Sequence, residues 1–201
     1  KDFRSVYITP TSDLLKVNAG PYKGTSWIEG ESEDNTSYEI GHLLNLATKS
    51  NPSILEVFKA PIVEKVDPWA TELRNLFPYV WSSRYVRDAF IGYSKNQQTK
   101  MLSHEEKYTV RKWKYAVAYI RVLLMAEQLL LTQDMSLEVP SEWIFRLKEI
   151  KEGKYSEGLI IDWCNGLKEK VNKAYDNNLS KETDFEPINE FLLKVRKHFW
   201  E

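Results

Sequence analysis

An apolar, β-branched run, Val6-Tyr7-Ile8, ends at Thr9-Pro10 and predicts a strand over residues 3–9. Residues 10–36 are rich in Gly, Ser, Thr, Asn and Asp, and read as a long loop with one short strand near Ser26-Trp27-Ile28. Tyr38-Glu39-Ile40 ends a further strand and leads into a helix carrying Leu43, Leu44, Leu46 and Ala47. That helix stops before Asn51-Pro52, because the residue before a proline is pushed out of the α region. Ser53 is the expected cap of a short helix holding Ile54, Leu55, Val57 and Phe58. From Asp67-Pro68, a cap followed by proline at the first helical position, the periodicity is helical throughout. It predicts helices over about 67–77, 83–101, 104–132, 141–151, 155–178 and 184–199. The chain therefore divides into a small part with strands, residues 1–66, and a helical part, residues 67–201.

Composition narrows the function classes. The 28 basic and 29 acidic side chains of the 201-residue chain nearly cancel, so any polyanion site is a local patch. The lone cysteine, Cys164, excludes an intramolecular disulfide and a cysteine zinc site, and fits a reducing, cytoplasmic setting. The most apolar stretch, Val122 to Leu131, is too short to span a bilayer, so no membrane partner is expected. Seven Trp and eleven Tyr predict aromatic helix packing or surfaces that stack on bases. Nothing in the composition sets the oligomeric state.

Three segments carry a resemblance: Asp2-Phe3-Arg4-Ser5-Val6-Tyr7, Tyr38-Glu39-Ile40, and Lys49-Ser50-Asn51-Pro52-Ser53-Ile54-Leu55-Glu56. In order and spacing the chain resembles the nucleotidyltransferases of the DNA polymerase β superfamily associated with RNA repair. The similarity continues through Phe90-Ile91-Gly92-Tyr93 with Gln97 and through Tyr119-Ile120-Arg121, so it covers at least residues 2–160. Members typically read Gly-Ser, a spacer, Asp-x-Asp, an Arg-x-Val strand, and a helix ending in Asn-Pro-x-x-Leu-Glu.

The resemblance implies an α+β fold: an incomplete nucleotidyltransferase-like mixed sheet followed by an all-helical bundle. It implies transfer of a nucleoside monophosphate from an NTP to an RNA end, a tRNA or another hydroxyl, with two Mg²⁺. Such ions want carboxylate oxygens, and two Asp at i and i+2 on a strand share a face. By the resemblance Asp2 is the second Asp of that pair, and Glu39 stands at the third acid's place, where the family usually has Asp. Glu31, Glu33 and Asp34 are nearby alternatives. The first Asp and the Gly-Ser turn would precede Lys1, so the expectation is a chain that starts partway through a longer protein and is inactive alone.

Arg4, two residues after Asp2, shares its strand face and is a phosphate candidate. Lys107, Arg111, Lys114 and Arg121 recur at spacings of 4, 3 and 7, and on one helix over 104–132 they form a basic stripe beside Tyr108, Tyr115 and Tyr119. That stripe is the expected triphosphate or RNA-backbone contact. Where many members have a His before the arginine matching Arg121, this chain has Ala118. The second expectation is a nucleic-acid- or partner-binding helical protein on a decayed catalytic scaffold. A third is a regulatory, antitoxin-like nucleotidyltransferase that modifies a protein or tRNA.

Overall fold

The structure is a computed structural model that describes residues 3–7, 27–29, 35–61, 63, 67–178 and 180–199. Most of these residues are helical. Three strands, β1 (Phe3–Tyr7), β2 (Trp27–Glu29) and β3 (Asn35–Glu39), pair in the order β1-β3-β2. β1 runs parallel to β3, from Phe3 opposite Asn35 to Tyr7 opposite Glu39. β2 runs antiparallel to β3, with Ile28 opposite Ser37. β3 starts at Asn35, within the stretch read as loop, and ends at Glu39, with Ile40 already in the helix that follows; Ile8 and Thr9 of the predicted first strand lie outside the described residues.

Helices follow: α1 (Ile40–Thr48), α2 (Pro52–Lys59), α3 (Pro68–Asn75), α4 (Ser83–Leu102), α5 (Glu106–Thr109), α6 (Lys112–Thr132), α7 (Ser141–Lys151), α8 (Glu157–Asn177) and α9 (Phe185–His198). Two of these differ from the sequence expectation. The cap of α2 is Asn51 rather than Ser53: the Asn51 side chain accepts from the Ile54 N–H at 3.3 Å, and Pro52 takes the first helical position, where its missing N–H costs nothing. The helix expected over 104–132 is two helices, α5 and α6, broken at Val110 and Arg111. No Gly or Pro marks that break. Val110 is 81% exposed there, so no apolar contact holds the first turn in line with the rest.

The chain forms two compact units: residues Lys1–Ser82 with Glu182–Glu201, and residues Ser83–Lys181. The division falls after Ser82 rather than at 66/67, and the last helix returns to the first unit. In unit 1, Leu43, Leu44 and Ala47 of α1 and Ile54, Leu55 and Phe58 of α2 are buried, as are Ile188, Leu192 and Val195 of α9. Each fully buried aliphatic side chain of this kind stabilises by about 1.5–3 kcal/mol. The turn between α1 and α2 is tight. Ser50 takes the left-handed conformation (φ 52°), and Ser50 N–H and Asn51 N–H donate back to the carbonyls of Ala47 and Leu46.

In unit 2, α6 is the central helix and packs against α4, α7 and α8. By length and composition it could cross a membrane. Here Ile120, Leu123, Ala126 and Leu129 are buried within the unit, while Leu131 near its end is exposed. Gly153, just past α7, has φ +73°, and a Cβ there would meet Trp113 Nε1 at 2.8 Å, so both backbone and space require glycine.

Candidate functional site

Glu39 ends β3 and begins α1, and this double position decides what its side chain does. Its backbone is extended (φ −62°, ψ 136°), as a cap requires. Oε2 accepts from the His42 N–H at 3.0 Å, and Oε1 accepts from Arg196 Nη2 at 3.0 Å. Glu39 is 4% exposed and Arg196 3%. The carboxylate is thus held between a helix N-terminus and a buried guanidinium, two positive partners that compensate its loss of water. Beside it, His42 stacks on Tyr38, and burial lowers the His42 pKa, against the raising effect of Glu39.

The other sequence candidates are dispersed. Asp2 lies outside the described residues. Arg4 is on β1, opposite Thr36. Lys107 is on α5 and pairs with Glu105 at 2.9 Å, which raises its pKa. Arg111 is the residue that starts α6. Lys114 is exposed on α6, and Arg121, two turns further on, is half-buried in a small cleft with Gln128, Leu137 and Glu138. The expected four-residue stripe on one helix therefore reduces to Lys114 and Arg121. Lys107 lies before the helix break, and Arg111 lies within it as the N-cap of α6.

Two clusters had no place in the sequence reading. The first is Arg196 itself, whose position after the apolar series Ile188, Leu192 and Val195 puts it beside the buried stripe of α9. The second lies in unit 2. Tyr119 is fully buried on α6, and its hydroxyl donates to Gln98 Oε1 of α4 at 3.0 Å and accepts from Lys168 Nζ of α8 at 2.7 Å. Burial pushes the Tyr119 phenol far above its ordinary value and the neighbouring Cys164 thiol up to about 12. Burial also lowers the Lys168 pKa, with the like charge of Lys95 adding to it. An apolar-spaced series, Ile160, Cys164, Leu167 and Val171, with Lys168 next to it, was the available signal on α8.

Among the described residues no group of three or more His, Cys, Asp or Glu is placed to hold a metal ion. A concavity in unit 1 is lined by Asp67, Trp69, Glu72, Asn75 and Lys194, with Lys194 ion-paired to Glu72. A family model described as RlaP, RNA repair pathway DNA polymerase beta family, matches residues 1–160. Comparison with curated proteins and with solved structures returned no match.

Proposed function

Because the chain belongs to the RNA repair pathway DNA polymerase beta family, we propose that the protein transfers a nucleoside monophosphate from an NTP to the hydroxyl of an RNA end. The observation that supports a catalytic β1–β3 pair is their parallel register, which aligns Phe3 with Asn35. Asp2 immediately precedes the first of these and Asp34 the second. Aligned parallel strands are the arrangement from which two acids can serve one centre. Glu39 is four residues beyond Asn35 on β3, about 13 Å at roughly 3.3 Å per residue, and both its oxygens have partners. The donor set at Glu39, taken up by His42 and Arg196, does not fit a metal, whereas the carboxylates of Asp2 and Asp34 are of the chemistry that Mg²⁺ takes.

In this reading Asp2 and Asp34 hold the cations, and Glu39 with Arg196 fixes the β3–α1 junction. Two Mg²⁺ bound there would supply charge neutralisation for the attacking and leaving oxygens. Arg4, on the same strand as Asp2's neighbour Phe3, is a phosphate contact, and Lys114 and Arg121 are candidates to hold triphosphate or acceptor. Such transfer depends mostly on positioning and electrostatics, so the protein's work is to orient the acceptor and the NTP.

The test uses the protein as encoded, with whatever residues precede Lys1, incubated with Mg²⁺, labelled NTPs and a panel of RNA ends. Asp2→Asn and Asp34→Asn each lose more than the roughly 10–100-fold that removal of an outer-shell metal partner costs. Glu39→Gln retains turnover wherever it folds. Wild-type rates in Asp34→Asn, or no transfer with any RNA end, would reject the reading; the latter leaves the binding protein on a decayed scaffold.

A further inference from the structure

The elbow between α4 and α6 gathers positive charge. From Lys95 to Tyr115 there are six Lys and Arg against two Glu, in a chain of formal net charge −1. The cations are interleaved with tyrosines through a continuous set of contacts. Lys107 Nζ lies 4.8 Å from the Tyr108 ring centroid, Tyr108 meets Tyr115 edge-on at 5.8 Å, and Lys100 Nζ lies 5.6 Å from the Tyr115 ring. One turn along α6, Tyr119 bonds Lys168, whose charged neighbour is Lys95. Tyr108 and Tyr115 are half-buried, and Lys95 and Lys107 are exposed. The acids on this seam are accounted for: Glu105 pairs with Lys107, Glu106 sits at the start of α5, and Glu157 pairs with Lys112 on the flank.

We propose that this seam, Lys107–Tyr108–Tyr115–Lys100 and on to Lys168 and Lys95, docks single-stranded RNA. The choice of RNA rests on the transferase reading, whereas the choice of a single-stranded polyanion rests on the seam. Lysines at intervals neutralise successive phosphates. Half-buried tyrosine rings at the edge of such a seam stack on unpaired bases, which a duplex keeps to itself. Like charges at Lys95 and Lys168 reinforce the attraction for an anion, because a phosphate between them relieves their repulsion.

Anisotropy of a fluorescein-labelled RNA of about twelve nucleotides tests this, measured without NTP or divalent cation, so loss of transfer activity does not bear on it. Lys100→Gln with Lys107→Gln is expected to weaken binding and to reduce the salt slope by about 1.4, at roughly 0.7 per phosphate contact. Tyr108→Ala weakens binding roughly 5- to 150-fold with the slope unchanged. Lys170→Gln with Lys173→Gln, exposed lysines elsewhere on α8, leave affinity near wild type. Circular dichroism checks each fold, and glutamine removes the charge while keeping a polar side chain with part of the lysine stem. Wild-type affinity in the Lys100/Lys107 pair, equal loss in the α8 control, equally tight binding of a duplex, or no RNA binding at low salt would each overturn the proposal.

Discussion

At the scale of single residues, Glu39 and Arg196 are each tolerable only because of the other. A buried ion pair gains little over a well-packed apolar pair, but removing one partner strands a charge away from water. Arg196→Ala is therefore expected to cost about 3–5 kcal/mol in urea unfolding. Glu39→Gln combined with Arg196→Met should recover most of that loss. If Arg196→Ala unfolds at the wild-type midpoint, the pair does not carry the junction. The resemblance makes Glu39 a metal ligand, while its place where a strand leads into a helix also suits an acid at a helix N-terminus. Its deciding partner lies 157 residues away, and no periodicity or spacing reports a contact of that range.

Between elements, local chemistry was far more legible. Asp67-Pro68 was readable as the start of α3, and the structure shows Asp67 accepting from the Ala70 N–H at 2.7 Å. Asn51-Pro52 follows the same rule, yet a serine one position past the proline drew the cap away from it. Asn51→Ala is expected to cost about 1 kcal/mol, within roughly 0.5–2, and Asn51→Asp much less, since the aspartate keeps the acceptor. Thermal denaturation distinguishes them; equal midpoints would place the cap elsewhere. The break between α5 and α6 was illegible for a different reason. Thr109-Val110-Arg111 contains no breaker, and intrinsic propensities in this range are weak enough for tertiary packing to override. The basic stripe drawn on an unbroken helix failed with it, while Tyr108 and Tyr115 of that same stretch did come together.

For the whole molecule, most helix spans apart from the α5–α6 break could be read from the chain, but not which helices share a core. The match to the family ends at residue 160, whereas α8 continues to Asn177 and α9 lies wholly beyond. α8 buries Cys164, Leu167, Val171 and Ala174, and α9 buries Ile188, Phe191, Leu192 and Val195. A chain ended at residue 160 thus removes apolar surface from both units. We expect it to show no cooperative thermal transition by circular dichroism. A sharp transition near the wild-type midpoint would mean that the matched region folds without its C-terminal helices.

The return of α9 to unit 1 also sets an order of events during synthesis. A ribosome releases the chain from its N-terminus, and domains generally fold as they emerge. Residues Ser83–Lys181 are contiguous, so they can close on themselves while translation is still under way. The strands and α1 cannot, because Arg196 is made long after Glu39. Until then the Glu39 carboxylate has no Arg196 guanidinium to meet, and the strands and α1, made before residues Ser83–Lys181, are completed after them.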